Sequence, residues 1–450
     1  MNVRNIILLL LLPVAGLGPM RAADDLLLPE QVFLALDPIL HGAVQQSPRM
    51  VSRALDLEMA ESNRISARAG LLPSLSGYIR QSESLDERAD VVGRLRVTKT
   101  AYDVNIHQPL FFWGERKNNA RVGVIQEQIG QGNYRAAYRG LAQELRQKYL
   151  GLIVHKLTLA RMQRYLAHTR QQLALAEERR AKGVISELEI HPVRLAAEQA
   201  QISAERAEFD LENARHDFIR LAGLGGFADG QIPDDLPVIT PRTEVVNRQL
   251  ATFLSHDEFT NVEAVNLRNQ IEIEGLNYRN QKTRLLPKLS FSAGVSQDDQ
   301  SYTINIAQRF RLNSQYAGVT VSWTIFDGFS AQAGVRHALA RRRQLESDYA
   351  ELEDRLAQQA RIQARLLEFS SRYMAISDRA LVASEGNLQA TQEEFRRGVG
   401  TEADVALTAI GLMDARIAAC NARIDYLLRS ADFLGALNRD PVQANVAEVK

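Results

Sequence analysis

The stretch that decides the fold is Phe329–Arg397, FSAQAGVRHALARRRQLESDYAELEDRLAQQARIQARLLEFSSRYMAISDRALVASEGNLQATQEEFRR. It holds no proline, and its glycines are Gly334 and Gly386. An unbroken helix of that length reaches roughly 100 Å at ~1.5 Å per residue, whereas helices of ordinary globular domains average about 11 residues. Leu345, Tyr349, Leu352 and Leu356 step by four, three and four, and Met374, Leu381, Leu388 and Phe395 step by seven. One narrow apolar stripe on an otherwise polar rod is the seam of a coiled-coil-like packing.

The rod has a twin. Leu145, Leu152, Leu159, Leu166 and Leu173 also run in sevens, and adding 215 carries the last four onto Leu367, Met374, Leu381 and Leu388. Leu71-Leu72-Pro73 recurs as Leu285-Leu286-Pro287 and Gly114 as Gly328, at an offset of 214. Past the rods the offset is 215: Gly183 to Gly398, Glu189 to Asp404, and Leu195, Ile202 and Phe209 to Ile410, Ile417 and Ile424. The expected order is a leader over 1–22, a first repeat over 23–224, a Gly- and Pro-rich connector over 225–262, a second repeat over 263–437 and a tail over 438–450. Each repeat reads helix, strand hairpin, long helix, turn, helix. The strands fall at about 74–84 and 94–108, then at 289–297 and 316–326, because apolar and polar residues alternate there. The long helices are expected over 115–182 and 329–397, and the return helices over 187–224 and 402–437. A first helix is expected from about Pro38 to Leu72, a short one from Val245 to Leu254, and a local distortion at Pro192. In the second strand the alternation changes phase near Lys99 to Ala101.

Composition narrows the function classes. Lys plus Arg and Asp plus Glu both count 54, so no electrostatic footprint for nucleic acid exists. The single cysteine, Cys420, excludes a disulfide framework and a multi-cysteine metal site. Arg4, the apolar run Ile6 to Leu12 and the small residues at Ala22-Ala23 read as a secretory leader. No phosphate-binding loop, His-Glu-x-x-His or serine-elbow motif occurs, so neither catalysis nor a cofactor is indicated.

Four strands per chain cannot close, and an open sheet edge is prohibitive in lipid. Several copies must therefore pool their strands into one barrel and their rods into one tube. Trp113, Trp323, Tyr78 and Tyr102 are candidates for membrane-interface aromatics.

With Leu-Pro before a strand, Gln108-Pro109-Leu110-Phe111 before Gly114, Phe326-Asp327-Gly328, and Phe395-Arg396-Arg397-Gly398 followed by Thr401 and Asp404, the chain resembles the TolC family of outer-membrane efflux proteins. The resemblance spans nearly the whole mature chain. It implies a homotrimer with a 12-stranded β-barrel in outer-membrane lipid, continued by a long periplasmic α-helical barrel. It also implies a periplasmic adaptor and an inner-membrane pump, of RND or ABC type, as partners. The implied role is the exit duct of an efflux or type I secretion system. Where some members carry a tyrosine, an arginine and a second acidic residue near the tip, this chain has Phe395, Gly400 and Leu407.

The residues singled out lie at that tip. Gly183 and Gly398 suit the left-handed position that ends a helix. Ser186 with Glu189, and Thr401 with Asp404, form capping-box patterns; Glu189 and Asp404 are also candidates for an acidic ring at the tube's mouth. The turns Gly183-Val184 and Gly398-Val399-Gly400 are the expected adaptor-docking points. A structural coiled-coil protein of the envelope would explain the leucine sevens but neither the leader nor the strands. A periplasmic adaptor would need one hairpin with compact β domains, not two copies.

Overall fold

The structure, a computed structural model, describes residues 26–87, 93–255, 258–303 and 308–442. The expected leader and the end of the tail lie outside the described residues. Short helices α1 (Pro29–Val32) and α2 (Leu36–Gln46) lead into α3 (Pro48–Ala69), β1 (Ser74–Glu87), β2 (Arg94–Phe111), α4 (Glu115–Ala181) and α5 (Glu187–Ala222). After the connector helix α6 (Thr243–Leu254) come α7 (Val262–Lys282), β3 (Lys288–Thr303), β4 (Gln308–Ser322), α8 (Ser330–Arg396) and α9 (Glu402–Ala436). Helices α4 and α8 each run 67 residues, roughly 100 Å. No helix among the described residues is long and apolar enough to cross a membrane.

Lateral packing gives the rods an order. Toward the sheet, α4 lies between α3 and α7, and α7 packs on α8; toward the far end, α4 lies between α5 and α9, and α9 packs on α8. Helix α4 is flanked on both sides along its length, while α8 sits at one edge and α5 at the other. The middle of the seam expected on α8 faces these neighbours: Leu352 and Leu356 pack with Ala264 of α7, and Leu367 and Met374 enter the main core, whereas Phe395 at its tip end is exposed.

That core is the thick waist of the molecule, where α1, α2 and the connector wrap α4. Tyr149 stands at its centre against Phe33, Phe218 and Phe227, with ring centroids 5.6, 5.8 and 6.2 Å away. Beside it Arg146 is completely buried. Its guanidinium donates to both carboxylate oxygens of Glu30, at 2.9 and 2.5 Å, and to both of Asp440, at 2.7 and 3.0 Å. One arginine thus ties the start and the end of the described chain to the middle of α4. The described start of the tail is anchored here: Asp440 and Val442 are buried.

The sheet is antiparallel in the order β1-β2-β3-β4. Several details extend or depart from expectation, among them β3, which runs to Thr303 rather than 297. The helix expected from Pro38 to Leu72 is two helices, because Ser47 takes an extended conformation ahead of Pro48, which opens α3. Strand β4 spans Gln308–Ser322 rather than 316–326. Its partner β3 begins at Lys288, paired with Ser322, and the preceding Pro287 has no N–H with which to extend the ladder. The phase change in β2 is not a bulge, since the β1–β2 register runs unbroken from Ser74↔His107 to Glu87↔Arg94. The distortion expected at Pro192 does not interrupt α5, where that residue lies in the second turn.

Candidate functional site: the far tip and the open sheet

The two far ends of the rods are built alike. Helix α4 ends through Gly183 at φ +73°, with the Val184 N–H donating to the Arg179 carbonyl at 2.9 Å and the Gly183 N–H to Arg180 at 2.8 Å. Helix α8 ends through Gly398 at φ +77°, with Val399 bonding to Glu394 at 3.0 Å and Gly398 to Phe395 at 2.9 Å. Both are Schellman closures, and positive φ is why glycine stands there. Gly400 does not have positive φ, and its backbone N–H donates to the Glu394 carbonyl at 3.3 Å. Val184 and Val399 project into solvent at the two apices.

Each return helix then starts with a closed capping box. The Ser186 hydroxyl accepts from the Glu189 N–H at 3.3 Å, while the Glu189 carboxylate accepts from the Ser186 N–H at 2.7 Å and from its hydroxyl at 2.9 Å. Thr401 and Asp404 repeat this at 3.2, 2.9 and 2.6 Å. The Ser186 backbone N–H, then its hydroxyl, hold the Glu189 carboxyl below its ordinary range. For Asp404 the Thr401 hydroxyl contributes most, followed by the backbone N–H. Both carboxylates are thus ionised caps at one end of the molecule. Glu189 also lines a groove that includes Pro192 and Val193 of α5 and Leu407 of α9, so the two tips stand level.

At the opposite end the register sorts the sheet into two faces. Leu75, Ile106, Val104, Val295, Phe291 and Val319 share one face. Ser74, Ser76, Asn105, Asp103, Ser292 and Ser296 share the other. The apolar face runs from the Leu289–Val321 pair to the Ile79–Tyr102 pair, about eight residues or ~27 Å along the strands. At a barrel tilt of ~40° that is roughly 20 Å of height, close to the ~25 Å apolar band of outer-membrane barrels. Beyond it the faces exchange polarity. Thr100, Asp299 and Arg311 continue the apolar face, while Val97 and Leu312 continue the polar one. This exchange is the phase change visible in the sequence of β2.

The four aromatic candidates separate. The Trp113 indole N–H donates to the Pro287 carbonyl at 2.8 Å and that of Trp323 to the Leu285 carbonyl at 3.0 Å. Both indoles therefore mark the junction of sheet and rods. Tyr102 belongs to the apolar face and bonds Gln297 at 3.2 Å. Tyr78 pairs with Asp103 on the polar face, opposite to that of Tyr102. Nothing in the sequence marks Arg146, Glu30 and Asp440, because an arginine amid rod charges looks solvated until α4 is known to be covered on both sides.

A family model described as outer membrane efflux protein matches residues 39–224 and 270–439. The solved structures include a similar fold in the outer membrane protein VceC of Vibrio cholerae, with a TM-score of 0.64 at 14% identity over 91% of this chain and 97% of that one. The CmeC outer membrane channel of Campylobacter jejuni gives a TM-score of 0.67 at 13% identity, over 92% and 88%. A membrane protein from Pseudomonas aeruginosa gives 0.65 at 16% identity, over 89% and 92%. At such identities the structures share the fold. No curated protein matches the chain by sequence.

Proposed function

Because the chain belongs to the outer membrane efflux protein family, we propose that three copies close into one passive exit duct, opened when a periplasmic adaptor and an inner-membrane pump dock on its tips. The observation that carries this is the open sheet. Strands β1 and β4, of 14 and 15 residues, are its two edges. An apolar face of membrane height with unpaired edges is stable in lipid only when further copies close the ring. Three copies supply twelve strands, polar side inward. The rods then continue the lumen into the periplasm for ~100 Å, and the paired tips are the parts of the protein farthest from the outer membrane.

The docking points are the two Schellman turns, Gly183-Val184 and Gly398-Val399-Gly400. The capping carboxylates Glu189 and Asp404, repeated in three copies, give the mouth six negative charges and a preference for cations. Drug or metal efflux and type I protein secretion would use the same duct, and the family description favours efflux.

Two experiments test this. Purified protein in a planar bilayer should form cation-preferring channels, and the Glu189→Gln/Asp404→Asn pair should reduce that preference while leaving conductance nearly unchanged. Gly400→Trp, at a turn position where a side chain needs no left-handed backbone, should leave trimer yield unchanged but abolish transport and adaptor cross-linking. Normal cross-linking and transport in that variant would move docking elsewhere on the tube.

A further inference from the structure

Two exposed stripes on this chain have no cover within it. On α5, Leu195, Ile202 and Phe209 are exposed at seven-residue spacing, and three residues after each stands an exposed glutamate: Glu198, Glu205 and Glu212. On α8, Ile362, Phe369 and Ile376 are exposed at the same spacing, and three residues after each stands an exposed arginine: Arg365, Arg372 and Arg379. Helix α8 carries the connector helix α6 near Arg365 and Arg372, but neither α5 nor α8 has a further rod beside it, so the two are the edges of the rod layer, the counterparts of β1 and β4 in the sheet.

We propose that the ring closes by α5 of one copy lying against α8 of the next, with Glu205 opposite Arg379 and Glu212 opposite Arg372. This rests on the three-copy reading above and adds the seam and its register. Helix α5 leaves the tip and α8 arrives at it, so the two run antiparallel. In antiparallel helices the position three residues after the stripe falls on the same side of the seam in both, so the glutamate row meets the arginine row.

The levels agree as well. From the tip ends Glu187 and Arg396, Glu205 lies at ~27 Å and Arg379 at ~26 Å, Glu212 at ~38 Å and Arg372 at ~36 Å, and Phe209 at ~33 Å against Ile376 at ~30 Å. The arginine row stops one heptad short of the tip, where position 386 is glycine, so Glu198 has no arginine opposite. Apolar residues at the seam supply the burial, and the flanking charges select partner and register, as at the edges of coiled coils.

Disulfide trapping tests the register. The single native thiol, Cys420, is buried and does not compete. Glu205→Cys with Arg379→Cys in one chain should give, on mild oxidation of membranes, covalent dimers and trimers on a non-reducing gel. Glu205→Cys with Arg372→Cys should give none, because one heptad moves the thiols ~10 Å apart and a disulfide tolerates a Cα separation of only about 7 Å. Independently, Glu205→Arg with Glu212→Arg should lower trimer yield at least severalfold, and adding Arg372→Glu with Arg379→Glu should restore it to within about twofold. An intact trimer that cross-links only through 205 and 372, or through neither pair, overturns the seam while leaving the three-copy reading standing. Unmutated protein that is monomeric in detergent overturns both.

Discussion

Leu195, Ile202 and Phe209 of the first repeat and Ile410, Ile417 and Ile424 of the second occupy matching positions, yet their surroundings differ. In the single chain the first set is 54%, 66% and 61% exposed, while Ile410 and Ile424 are 6% and 9% exposed and Ile417 packs on the core. The same contrast separates Arg146, fully buried between Glu30 and Asp440, from Arg361, its twin at the offset of 215, which is exposed. Duplication copied the pattern of the helices but not their neighbours. Helices α4 and α9 lie inside the layer, and α5 and α8 lie at its edges. A heptad stripe is therefore a statement that a surface will be covered, and its place in the layer decides whether the same chain or another covers it.

The largest effect should separate the arginine twins. Arg146→Met leaves two buried carboxylates without their shared partner, which should cost about 3–5 kcal/mol in denaturant unfolding of the solubilised protein. Arg361→Met should stay within about 0.5 kcal/mol. Equal losses at the two positions would break the comparison.

The isoleucine–phenylalanine pair should come next. Ile424→Ala removes core volume and should cost about 2–4 kcal/mol of chain stability. Phe209→Ala should leave helix content unchanged and instead raise the fraction of dissociated protein on dilution in detergent. If Phe209→Ala destabilises the isolated chain as much as Ile424→Ala does, α5 is covered within its own chain.

The tips, where the repeats agree, should show the smallest and most equal effects. Ser186→Ala and Thr401→Ala should each cost about 1 kcal/mol of local helix stability, read by hydrogen exchange in the first turns of α5 and α9. Both capping carboxyls titrate below their ordinary values, so their stabilisation is complete above the unfolded carboxylate range of about pH 4. It is lost as pH falls through the lower folded values. Protection of these turns should fall on acidification below about pH 4 in the parent protein and much less in the Ser186→Ala/Thr401→Ala variant.

Much of this architecture was legible beforehand, because long rods, capping boxes and left-handed glycines are local. Phe329–Arg397 states its helix through spacing alone, and Ser186 to Glu189 states its cap. The strand ends were less legible. Where β4 stops depends on Pro287 just ahead of the neighbouring strand, and the polar run Asn313-Ser314-Gln315 in the middle of β4 hides the alternation of its first half. The phase change in β2 was visible, but only the register assigns it to an exchange of faces rather than a bulge. The Arg146 clamp was not legible, since its partners lie 116 and 294 residues away. At the tip the caps were readable, whereas any role of Glu189 and Asp404 beyond capping belongs to the assembly.

The most direct test of the central claim is the mass of the particle extracted from membranes. Outer and inner membranes should be separated, the protein extracted in mild detergent, and its mass measured by light scattering after gel filtration. The protein should come from the outer membrane as a particle of three chains. A folded monomer, or residence in the inner membrane, would contradict the account.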